Sequence, residues 1–185
     1  MKKLNSIFLI AAMTFAAMAC SDDDDQDDVS AVVTEKDRTF MLNAADGGMF
    51  EVRAGELAAA KGDSMMNMMD SDSMSVHSFG QMMITDHSKA NDELKSLASV
   101  RQVTIPTTLS TAKQQKVDSL MAASGAAFDM MFTKMMVVSH QETVNLFQAG
   151  SSGGDDNEIK AWASGKLPTL IHHLEMAEMI RNSIQ

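Results

Sequence analysis

Residues 126–147, Ala-Ala-Phe-Asp-Met-Met-Phe-Thr-Lys-Met-Met-Val-Val-Ser-His-Gln-Glu-Thr-Val-Asn-Leu-Phe, decide how this chain is read. Ala126, Asp129, Thr133, Met136, His140, Val144 and Phe147 recur every three to four residues, and Ala122 extends the series backwards. That spacing places them on one face of an α-helix. Met130, Met131, Met135 and Met136 read as core filler, because a flexible thioether adapts to irregular space. The pattern predicts a helix from about Ser110 to Ala149.

The same period recurs on both sides. Phe40, Ala44, Gly48, Glu51, Gly55 and Ala58 mark a helix from about Thr34 to Lys61, with Thr34 as its cap. Its stripe is small enough for a neighbour to approach closely. Val76, Phe79, Met83, His87, Ala90, Leu94 and Leu97 mark a second, from about Met74 to Val100, and Pro106 breaks the chain after it. Ser151 to Gly154 reads as a loop. A last helix starts near Asp155 with Ile159 and Trp162. It is expected to be interrupted or kinked between Gly165 and Pro168, and resumes with Leu170, His173, Ala177, Ile180 and Ile184. Four amphipathic helices with short and moderate connections predict an all-α fold, an antiparallel up-down four-helix bundle over residues 34–185.

The ends of the chain carry a different message. Lys2 and Lys3 precede a mostly apolar stretch, Ile7 to Ala19, too short to span a bilayer. Residues 1–19 read as a signal peptide. Ala17-Met18-Ala19-Cys20 resembles the lipobox of a bacterial lipoprotein, although Leu is commoner at the place of Ala17. The chain's one Cys therefore reads as a lipidation site, and its acyl chains as a membrane anchor. Residues 20–33 form a tether with six Asp between Asp22 and Asp28. Such a run stays solvated. It resembles the surface-export signal of Bacteroidetes lipoproteins, which places the protein in the cell envelope, on either face of the outer membrane. The formal charge of -10 argues against nucleic acid as a partner.

Several motifs are together similar to one family. They are Ala44-Ala45-Asp46-Gly47-Gly48, Glu51-Val52 and Gly55-Glu56-Leu57-Ala58, then Phe79 to His87 followed by Leu94. Phe128-Asp129, Met136-Val137-Val138-Ser139-His140 and Leu167 to Leu174 complete the series. Over roughly residues 35–183 the chain resembles domain of unknown function 4142. The resemblance implies a ferritin-like bundle exported to the periplasm or outer membrane, and no established activity. Two departures stand out. Residues Ser64 to Ser73 look like an insertion rich in Met and Asp, and Phe132 stands where the family has Tyr.

Glu51, His87, His140 and His173 each fall on the core stripe of a different helix. Burying an unpaired polar group costs on the order of 2–7 kcal/mol, so such groups must find partners. Two readings fit. Three imidazoles and a carboxylate can hold a divalent transition metal, with zinc, iron, manganese and copper all compatible. Alternatively Asp86, Asp129 or Glu51 hydrogen-bonds the histidines in a metal-free network, and the protein is a structural or stress-tolerance module of the envelope. A ferritin-type di-iron centre needs Glu-x-x-His pairs, but Ile84, Val137 and Leu170 stand three residues before the histidines. His172 faces away from the stripe as a possible second-site ligand, and His77 reads as surface or rim. Met65, Met66, Met68, Met69 and Met74 form a third candidate, a soft-metal buffer for copper. No nucleophile motif or phosphate loop is present, so the reading leans against an enzyme.

Overall fold

The computed structural model describes residues 33–65 and 74–184, which form five α-helices. Cys20, the signal segment, the Asp run and Met66, Met68 and Met69 lie outside the described residues. Helix α1 spans Glu35–Lys61, α2 Val76–Val100, α3 Thr111–Ala122, α4 Gly125–Gly153 and α5 Asn157–Ser183. The described chain is all-α.

Helices α1 and α2 start and stop where their caps say they should. The Thr34 hydroxyl accepts the Asp37 N–H, and the Ser75 hydroxyl accepts that of Ser78. Each satisfies one of the first-turn donors that a helix leaves without partners. Every residue of the expected α1 stripe is buried, Glu51 included. The small residues do bring backbones together. A Cβ built on Gly55 would stand 2.8 Å from the Gly80 carbonyl oxygen, and one on Gly80 would stand 2.7 Å from Ala58 Cβ. Along this contact Gly48 meets Asn91, Gly55 meets Gly80 and Gly62 meets Val76.

Three expectations need correction. The long third helix is two helices. Ala123 and Ser124 are extended and Gly125 has φ +56, a left-handed value that glycine adopts without Cβ strain. Lys61 holds the break by donating to the carbonyls of Leu120, Met121 and Ala123 at 3.2, 2.8 and 2.7 Å. Second, Ser151 to Gly153 are not a loop but the last turn of α4. Lys36 donates to the Gly153 carbonyl at 2.6 Å, and the Gly154 N–H closes on Gly150. Third, α5 is not interrupted, and Pro168 lies inside it. Proline removes the N–H that would reach the carbonyl of Ser164, but both residues are exposed, so water can serve that oxygen.

The core falls into two apolar clusters. One holds Phe50, Phe79, Met83, Phe128, Phe132, Met136 and Met176, the other Phe40, Met41, Leu94, Phe147, Ile159 and Leu170. Met136 is core as expected, and Met131 and Met135 pack against it, whereas Met130 is 50% exposed. Met74 also packs on the first cluster, while Met65 is exposed. Met74 is thus spent on packing rather than offered to a soft metal.

Candidate metal centre

The four polar stripe residues meet between the two apolar clusters. On α2, His87 sits between Met83 of one cluster and Leu94 of the other, and on α4 His140 sits between Met136 and Val144. Glu51 follows Phe50 on α1, and His173 lies between Leu170 and Met176 on α5. Each helix therefore contributes its polar residue at one level. All four are buried, Glu51 and His140 completely.

The three rings form a nearly equilateral triangle, with centroids 5.4, 5.3 and 5.4 Å apart. One nitrogen from each lies within 4.8 Å of those of the others. Each ring also has a nitrogen turned to an oxygen. His140 Nδ1 is 2.9 Å from the Met136 carbonyl oxygen, and His173 Nε2 is 3.0 Å from Asp86 Oδ2. His87 Nδ1 is 3.0 Å from Glu51 Oε2. That last approach is a charge contact rather than a hydrogen bond, because the ring N–H is not aimed at the oxygen and Oε2 has no hydrogen-bond partner. Glu51 Oε1 is better served, accepting from Ser139 at 3.0 Å and Thr143 at 3.3 Å. His140 Nδ1 stands 3.9 Å from the same oxygen.

The remaining nitrogens are the informative ones. With Nδ1–H donating to Met136, His140 Nε2 bears a lone pair, and it is buried without a partner. With Nε2–H donating to Asp86, His173 Nδ1 bears a lone pair and faces His87 Nε2 at 3.3 Å. Burial pushes the His140 pKa below its ordinary value, against the pull of the Glu51 carboxylate. Burial, and then the neighbouring His87 and His140, take His173 down to about 4 against the pull of Asp86. Both rings are neutral at physiological pH, the protonation state that binds metals. Burial alone raises the Glu51 carboxyl, but His87, His140, the Ser139 hydroxyl and Lys113 together carry it below the usual carboxylate range. An ionised glutamate thus stands beside neutral His140 and His173.

Asp86 hydrogen-bonds a histidine as the network reading expects, but Asp129 does not. It accepts the Asp63 N–H at 3.1 Å, and so ties the segment after α1 to α4 instead of touching the histidines. Burial raises its carboxyl pKa. His172 is exposed and outside the cluster, and His77 is half-buried. The partners that sequence reasoning missed are Ser139 and Thr143. Their only signal is the four-residue spacing that brackets His140.

An all-helical protein with a buried three-histidine layer is the class that these features define. The chain belongs to the family described as Domain of unknown function (DUF4142), whose profile matches residues 24–180. Comparison with the curated proteins and with the solved structures finds no match.

Proposed function

We propose that this protein is a ferritin-like, antiparallel four-helix bundle that binds a divalent transition-metal ion through His87, His140 and His173. Glu51 acts beside them, behind His87. The observation that carries this is the division of labour among the ring nitrogens. His140 and His173 each turn one nitrogen to an oxygen that orients the ring, as the second shell of a metal site requires, and their other nitrogens converge with one of His87. Zinc–nitrogen bonds of about 2.0–2.1 Å in a tetrahedron put the nitrogens about 3.3–3.4 Å apart, and His87 Nε2 and His173 Nδ1 are 3.3 Å apart.

The same 3.3 Å also suits a hydrogen bond, which is the case for a metal-free network. That network leaves one group unmet. His140 Nε2 stays buried and unpaired, at the desolvation cost of about 1–3 kcal/mol for an unmet group. A cation removes that fault.

The bundle assignment rests on the pairing of contacts. Positions rise along α1 as they fall along α2, and Phe40–Gly150, Gly47–Thr143 and Glu51–Ser139 do the same for α1 and α4. His140–His173 and Phe147–Trp162 pair α4 with α5 likewise. Helices α2 and α4 then run parallel to each other rather than in simple up-down order, helix α3 is the crossover that returns the chain to the start of α4, and α5 bends at Pro168. We further propose that acyl chains on Cys20 anchor the protein in the envelope. Replacing Cys20 with Ser should release it into the soluble fraction, and firm membrane attachment of that variant would refute the anchor.

The metal is tested by elemental analysis of the untagged protein after loading with zinc, manganese, iron or copper. The expected result is about one ion per chain, lost in His140→Ala and His173→Ala variants that remain helical by circular dichroism. No ion retained under any loading would overturn the reading.

A further inference from the structure

A cavity of about 130 Å³ adjoins the histidines. Glu51, His87 and His173 line one end of it, and His140 does not line it at all. Leu94, Phe147 and Leu170 give it an apolar wall away from the histidines. At the rim stand Lys89, which is exposed, and Lys166, which is half-buried and paired with Glu93. Trp162 lines the same space and donates its ring N–H to Glu93 at 3.0 Å.

We propose that this cavity binds a small monocarboxylate with an apolar body about the size of a benzene ring, its carboxylate directed to the metal. This rests on the metal reading above. Three protein ligands leave a coordination position open, the arrangement of sites that take an exogenous ligand rather than of closed structural sites. The cavity reaches His87 and His173 and so supplies a path to that position. Size sets the body: an apolar cavity of about 150 Å³ takes benzene. Charge sets the head, because the metal and the lining Lys89 and Lys166 all favour an anion. Without the ion the same head meets the side chains of Glu51 and Asp86, which line the cavity and bring no positive charge to it. Binding is therefore metal-dependent.

Trp162 is the chain's one tryptophan, so its fluorescence reports on the cavity. The test titrates benzoate into the full-length protein loaded with zinc and into the metal-free protein, with zinc content measured in each sample. The expected result is a saturable change with zinc and at least about tenfold weaker binding without it. Benzamide, of similar shape but uncharged, should bind the zinc form at least about tenfold less tightly. Ala90→Phe, which fills the cavity, should abolish the response while zinc content is retained. Ala90→Leu serves the same purpose if the larger side chain unfolds the protein. Zinc bound without a saturable response, an equal response with and without zinc, or an unchanged response in the filled variants overturns this proposal and leaves the metal site standing. Failure to bind zinc or any other ion overturns both, and zinc content tells the two failures apart.

Discussion

Gly80→Ala and Gly165→Ala should change stability in opposite directions. Both glycines lie inside helices, where alanine is intrinsically better by about 1 kcal/mol. Propensity alone therefore predicts that both variants gain. At Gly165 nothing lies within 4 Å of an added Cβ, and the position is exposed, so the gain should be realised at about 0.5–1 kcal/mol. At Gly80 the added carbon would stand 2.7 Å from Ala58 Cβ and 2.8 Å from both Ala59 N and Gly55 O. Two of those three are backbone atoms, which no rotamer change can move. Carbon atoms rest about 3.5–4.0 Å apart, so α1 and α2 must separate by roughly 1 Å, and such a gap forfeits up to half of each contact's attraction. Overpacking of this kind costs about 1–3 kcal/mol. Net of the propensity gain, Gly80→Ala should lose up to about 2 kcal/mol. Urea unfolding followed by circular dichroism measures both, and a lower midpoint at constant slope is the expected signature for Gly80→Ala. A Gly80→Ala protein as stable as its parent would mean that the backbones are not in contact there. Gly80 also lies seven residues before His87 on α2, so parting the helices should weaken the metal as well.

Other substitutions test other contacts. Asp86→Asn should weaken metal binding about 10–100-fold by loosening His173, far less than His173→Ala; competition against a chelator measures it, and an unchanged affinity would deny Asp86 its orienting role. Asp37 is buried and accepts the N–H groups of Asp155 and Asp156 at 3.1 and 2.9 Å. Asp37→Asn should cost about 2 kcal/mol in urea unfolding and speed hydrogen exchange at those two amides, and unchanged exchange would count against the tie. Lys61→Met should cost about 1–2 kcal/mol by freeing three carbonyls at the end of α3, with faster exchange confined to α3 as the mark of local release. Arg101 hydrogen-bonds Asp156 through two nitrogens, at 2.7 and 2.8 Å, and holds its carboxyl below its ordinary pKa of 3.8. A depressed folded pKa gives stability that is full above the unfolded value and lost as pH falls through the folded one. Asp156→Asn keeps the helix cap, so its deficit of about 1 kcal/mol at pH 7 should shrink steadily below pH 3.8. A deficit that persists at pH 2.5 would refute the charge pair.

The helices that could be read closely are those whose ends are set by neighbours in sequence. Thr34 and Ser75 cap α1 and α2 from three residues away, and local spacing records that. The misread boundaries are set from afar. Nothing in Ala122-Ala123-Ser124-Gly125-Ala126 except the glycine argues against continuous helix. The break is held by Lys61, from another helix. Ser151-Ser152-Gly153-Gly154 reads as a turn by composition, yet Lys36 and Asp37 at the start of α1 hold its carbonyl and the amides beyond it. Pro168 stayed inside α5 because the face it disrupts is the wet one, a fact about packing rather than about proline.

For the site, helical phase identified the residues and their facing but not their level. The level shows once the helix ends in the structure are taken as rulers. Glu51 precedes the α1 cap Gly62 by eleven residues, and His87 follows the first residue of α2, Val76, by eleven. At 1.5 Å per residue each lies about 16 Å along its helix from the end where Gly62 meets Val76, and so at one height. His140 precedes the α4 cap Gly154 by fourteen residues and His173 follows Asn157 by sixteen, a mismatch of about 3 Å, which long side chains can span. What spacing cannot supply is the tautomer of each ring. For His140 and His173 that depends on Met136 O and Asp86, oxygens from two different helices, and their placement leaves lone pairs on His140 Nε2 and His173 Nδ1. The chemistry of this centre is therefore decided by which oxygen each histidine faces. For that reason Asp86→Asn, which leaves every proposed ligand in place, is the substitution that tests whether the orientation of His173 sets the affinity of the site.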